Sequence, residues 1–273
     1  MERFEVNKSK MPAALKILLF MFLIYADIGI ITIFLSLSPA VVETLNTNKL
    51  LSLVISQVLL IFPSLPLYML ITKQNHNDIL PLKPLGWKNA AFILLMTILL
   101  NPAISLISGI TSLFYPNAAI SITDTLTMEN LPAAFIIIAI LPILTEEICF
   151  RGVVLSAAKE WKVIYAAIIS GTLFGLIHMN LQQIPYALFM GIIFSLYVIH
   201  TRSIYSSMLA HFLVNAPNVL LALTISDKPD ISGITEEVIL SLIILAVFAV
   251  IFFLLFLIVY KRFKLYNQKR FSL

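Results

Sequence analysis

Long apolar runs, each ended by a short polar cluster, set the rhythm of this chain. Eight of them approach or pass the ~20 residues needed to cross a bilayer: roughly 14–36, 50–72, 89–114, 131–157, 162–180, 183–200, 203–225 and 235–260. None alternates with the period of two of a barrel strand. An open chain in lipid must satisfy its backbone hydrogen bonds internally, so the runs predict helices. The connections are short. The expected fold is all-α, a polytopic transmembrane helix bundle of about eight spans, with residues 1–273 as a single integral membrane domain.

Composition reinforces this reading. Hydrophobic residues make up 60% of the chain and charged residues 12%, against about half and a quarter in a soluble domain. The net charge of +4 is small, and the basic residues sit at the ends of apolar runs. That placement argues for the lipid bilayer as a partner and against nucleic acid. The lone Cys149 excludes an intrachain disulfide. The first run lacks a small-residue cleavage site and is long enough to span, so it is expected to be retained. With the N-terminus placed inside, 15 of the 18 Lys and Arg residues fall on inner segments, Lys49 and Lys228 fall outside, and Arg151 lies within a span. The bias predicts that both termini are cytoplasmic.

Several spans are interrupted. Asp27 in the first is expected to hydrogen-bond to a neighbouring helix. Pro63 and Pro66 in the second, and Asn101-Pro102 in the third, predict kinks, because proline removes a backbone donor and disfavours helix at the preceding residue. The polar loop at about 115–130, with Asp124 and Glu129, reads as a linker or as cover for an entrance.

The fourth run holds the strongest anomaly, Thr145-Glu146-Glu147-Ile148-Cys149-Phe150-Arg151-Gly152. Ionisable groups at bilayer depth are costly unless paired or wetted, and so mark function. On a helix Glu147 and Arg151 are i and i+4, in the favourable order for an ion pair. Glu146 points about 100° away and has no partner on its own helix. Two later histidines supply candidates: His178, in Phe174-Gly175-Leu176-Ile177-His178, and His211, which shares a helix face with Asn215. His178 falls some seven residues beyond the middle of its run, about 10 Å at helical rise, so tilt or a later start must close that gap. His76 and His200 read as interfacial. Cys149, apolar-flanked and beside two acids, is a poor candidate for a nucleophile.

These groups suit hydrolysis in two ways that spacing leaves open. A glutamate can take a proton from water and return it to a leaving amine, with His and Asn donors stabilising the oxyanion. Alternatively Glu146, His178 and His211 can hold a divalent metal such as zinc that activates the water, with another glutamate as base.

The three pieces together resemble the CPBP family of intramembrane proteases, which includes type II CAAX prenyl endopeptidases and relatives tied to bacteriocin immunity. Its Glu-Glu-x-x-x-Arg motif matches Glu146, Glu147 and Arg151. Its Phe-x-x-x-His motif matches Phe174 and His178, and its His-x-x-x-Asn motif matches His211 and Asn215. The resemblance covers about residues 131–220, which it marks as the catalytic helix core. It implies an endopeptidase in which Glu146 activates water with His178, His211 and Asn215 hold the oxyanion, and Glu147, Arg151 and Phe174 support the site. It further implies a membrane-associated peptide or protein substrate and a multi-pass protein of a bacterial plasma membrane. One departure stands out: a Thr-Gly-Ser turn common in the family reads Thr201-Arg202-Ser203 here. Two competing readings remain, a non-enzymatic immunity or peptide-binding scaffold and a proton-coupled transporter. The latter expects related half-repeats, and none is evident.

Overall fold

A computed structural model describes residues 11–115, 127, 129–224 and 235–271. Most of the 115–130 loop, including Asp124, lies outside the described residues.

Each of the eight apolar runs is helical. The first is α1 (Ala13–Ser36), followed by a short exposed helix, α2 (Pro39–Thr47), begun by a proline and containing Glu43. The second run is divided into α3 (Lys49–Ile61) and α4 (Ser64–Thr72), because Phe62 before Pro63 takes an extended conformation. A single turn, α5 (His76–Ile79), closed by an Asn75–Asp78 capping box, leads to α6 (Trp87–Ser112). α6 runs unbroken through Asn101-Pro102. The fourth run is one helix, α7, over Leu131–Ala157. Then come α8 (Val163–Leu176), α9 (Ile184–Thr201), α10 (Tyr205–Thr224) and α11 (Glu236–Phe271).

Six of these stretches are long and apolar enough to cross a membrane: α1, α3 with α4, α6, α7, α9 and α11. α8 has 14 residues and stops short of the expected 180. The chain turns at Ile177-His178, Met179 adopts φ 49°, and the Asn180 side chain accepts from the backbone N–H groups of Gln182 and Gln183. α11 is longer than expected. Its 36 residues reach about 54 Å, well past a ~30 Å hydrocarbon layer. The overhang is tied down by reciprocal amide bonds between buried Asn89 and Asn267, at 3.1 and 2.9 Å. Asp27 departs from expectation: its Oδ2 is buried with no hydrogen-bond partner among the described residues.

α7 contains two wide, π-helical stretches, Phe135–Ile140 and Ile148–Val154. The first immediately precedes Leu141-Pro142, where the wider turn relieves the clash of the proline ring with the preceding carbonyls. The second carries Arg151. Such stretches recur at functional sites.

Two apolar cores flank α7. One gathers α1, α4, α7 and α8 around Phe20, Tyr68, Phe150 and Phe174. The other gathers α6, α9, α10 and α11 around Phe194, Tyr197, Phe256 and Phe263. α8 and α9 join at backbone distance. A Cβ on Gly171 would lie 2.5 Å from the Ile192 backbone nitrogen, one on Gly191 2.7 Å from Gly171 Cα, and one on Gly175 2.9 Å from Leu188 Cβ. Gly171 and Gly175 are spaced as small-xxx-small, the pattern by which membrane helices approach closely.

Candidate active site

The seam between the two cores holds the charged residues. Glu146, Glu147 and Arg151 are 7%, 0% and 1% exposed, and His211 on α10 is 3% exposed. Arg151 donates from Nη1 to Glu147 Oε1 at 3.0 Å and from Nη2 to the carbonyl of Gly191 at 3.2 Å. Its guanidinium carbon lies 4.3 Å from the centre of the Phe174 ring and 5.5 Å from that of Phe194. Phe174 belongs to one core and Phe194 to the other, so this arginine pins them together. The close approach of α8 and α9 at Gly191 brings that carbonyl within its reach.

His211 bridges the two glutamates. Its Nδ1 is 2.9 Å from Glu147 Oε1, and its Nε2 is 3.9 Å from Glu146 Oε2. A carboxylate paired to Arg151 is an acceptor, so Nδ1 carries a proton and donates to Glu147, while Nε2 faces Glu146. His178 is set the same way. Its Nδ1 lies 2.8 Å from the Phe174 carbonyl, which can only accept, so Nδ1 carries a proton there too.

Phe174 links the two imidazoles. Both stand roughly perpendicular to its ring, with centroids 5.1 Å away for His178 and 5.9 Å for His211. His178 thus joins the group through an aromatic ring and a carbonyl. No ion pair connects it to Glu146 or Glu147 among the described residues. Asn215, one turn beyond His211 on α10, is half-buried. Among the described residues no three His, Cys, Asp or Glu side chains group closely enough to hold a metal ion. The proposed ligand set of Glu146, His178 and His211 therefore does not fit a metal as placed. Cys149 faces the other way, its Sγ 3.5 Å from the Leu60 carbonyl of α3.

Sequence reasoning missed the nearest partner of Glu146. Gln57 on α3 donates from Nε2 to Glu146 Oε1 at 3.0 Å, and the Thr145 hydroxyl donates to Gln57 Oε1. The threonine bond orients the amide so that its N–H face meets the carboxylate. A signal did exist, since Gln57 is the one long polar side chain inside the 50–72 run.

The helices and this buried acid–imidazole centre define a multi-pass helical membrane protein with an ionisable site between its cores. Residues 128–217, about a third of the chain, match the Rce1-like family, described as type II CAAX prenyl endopeptidase Rce1-like. That segment is therefore similar to type II CAAX prenyl endopeptidases. No curated protein and no solved structure matches the chain.

Proposed function

We propose that this protein is an intramembrane endopeptidase that hydrolyses a peptide bond of a membrane-associated peptide or protein, with Glu146 as the general base. The observation that carries this reading is the facing pair Glu146 Oε2 and His211 Nε2, 3.9 Å apart in a buried seam. A water between them donates one hydrogen to each. As its oxygen attacks the scissile carbonyl, Glu146 takes the proton. The tetrahedral oxyanion is stabilised by the Asn215 amide, a donor type whose loss costs about 2.7–4 kcal/mol in comparable sites. Collapse breaks the C–N bond, and the proton passes from Glu146 to the leaving amine. Glu147 holds His211 through its Nδ1–H, and Arg151 balances Glu147. His178, beside Phe174, serves as a second proton carrier.

No step is routed through a metal, because the residues do not form a three-ligand group. Cleavage is accordingly predicted to survive exhaustive chelation. Activity lost to a chelator and restored by one equivalent of zinc would contradict this scheme. The reading itself is tested with Glu146→Ala and His211→Ala variants in proteoliposomes carrying a membrane peptide fraction. Each is expected to abolish the appearance of new peptide termini while the protein still inserts and folds. Normal cleavage by Glu146→Ala would overturn it.

A further inference from the structure

At the Lys- and Arg-rich end of the bundle a cavity of about 390 Å³ opens between the ends of α7 and α9, the start of α8 and the α5 turn, with Arg151 of the buried centre also in its lining. Its size falls in the range of ligand pockets. Leu155 and Val198 contribute apolar wall, Trp161 stands at the edge, and Lys159 and Arg202 supply exposed cations. The one carboxylate lining it, Asp78, already accepts the Asn75 backbone N–H at 2.9 Å.

Arg202 is the residue that replaces glycine in the Thr-Gly-Ser pattern, and its backbone explains the glycine. It caps α9 at φ 53°, ψ 34°, a left-handed conformation that glycine adopts freely and arginine does not. The charge is held in place despite that cost. Its guanidinium carbon lies 4.4 Å from the centre of the Phe271 ring, at the overhanging end of α11. Arg270 and Lys83 approach the same ring at 5.6 and 5.7 Å. Three cations thus crowd one aromatic ring beside a cavity that adds Lys159. None of the four forms an ion pair with a carboxylate among the described residues. Like charges held this close call for an anion. The apolar wall and the position at the end of the spans call for one with an acyl chain, since basic pockets between transmembrane helices at this level take phosphate headgroups.

We propose that this cavity binds the phosphate headgroup of an anionic lipid, gripped by Arg202 and Lys159, with Lys83 and Arg270 adding positive charge around the Phe271 ring that Arg202 shares. The cavity shares Arg151 with the glutamate centre, but the proposal does not depend on the protease reading. The test is a thermal-shift titration of the purified full-length protein in detergent with phosphatidylglycerol, with phosphatidylcholine of the same acyl chains, and with inorganic phosphate. Phosphatidylglycerol is expected to raise the melting temperature saturably, with phosphatidylcholine giving little shift. Arg202→Gly relieves the backbone strain as it removes the charge, so the variant is expected to fold. It should weaken the phosphatidylglycerol effect about fivefold, and adding Lys159→Ala should do so about fivefold again. Lys159→Ala alone, at an exposed position, gives a second estimate of one charge. Equal shifts with both lipids, an undiminished effect in the double variant, or the full effect from inorganic phosphate alone would each overturn the lipid assignment.

Discussion

Removing the guanidinium of Arg151 would leave Glu147 fully buried, with the His211 imidazole still hydrogen-bonded to it. Arg151→Met is therefore expected to destabilise the fold by about 3–5 kcal/mol, the usual cost of stranding one member of a buried pair. Unfolding in mixed micelles would measure it, and a loss under 1 kcal/mol would refute the pinning role. Gln57 acts on Glu146 instead. Gln57→Leu deletes a hydrogen bond to a charged group, worth about 1.5–3 kcal/mol. Under the proposed mechanism, kcat should fall roughly ten- to a hundredfold with KM little changed. A change confined to KM would point to substrate contact. The Glu147–Arg151 pair was legible in the sequence because it needs only helical spacing, and it persists at 3.0 Å although α7 widens there. The partnership of Gln57 with Glu146 was not legible. It joins residues 89 apart in the chain, and nothing in α3 says which way its one amide faces.

Among the elements, α8 and α9 control the site most directly, because their contact places both Phe174 and the Gly191 carbonyl against Arg151. Gly171→Ala would drive a methyl group into the backbone at Ile192. The helices must then part, with an expected loss of about 1–3 kcal/mol and, if the site is catalytic, of activity with it. Unfolding measurements would check the stability, and a neutral substitution would show that the close approach is dispensable. The apolar runs announced these helices by length alone. They did not announce where α8 stops, since Leu176-Ile177 is as hydrophobic as the helix before it and the turn depends on Met179 adopting positive φ. That turn sets His178 beside Phe174. The overhang of α11 was equally hidden. Its polar residues look like a tail until Asn267 is seen bonded to Asn89.

At the scale of the whole molecule, two apolar cores meet along a seam, and nearly all the buried charge lies in that seam. The bilayer explains why the apolar helices were readable, because a span needs a long run of mostly apolar residues. It cannot report which spans converge, and there the three short motifs were informative: they brought α7 and α10 together at Glu146, Glu147 and His211. The central claim is that this convergence hydrolyses peptides, with Glu146 as the base. The most direct measurement is comparative peptidomics of membrane and medium from cells carrying the wild-type protein or Glu146→Gln at equal abundance. The account predicts a defined set of cleavage products that is present with the wild type and missing with the variant, while the uncleaved precursors accumulate. Identical peptide profiles in the two strains would contradict it.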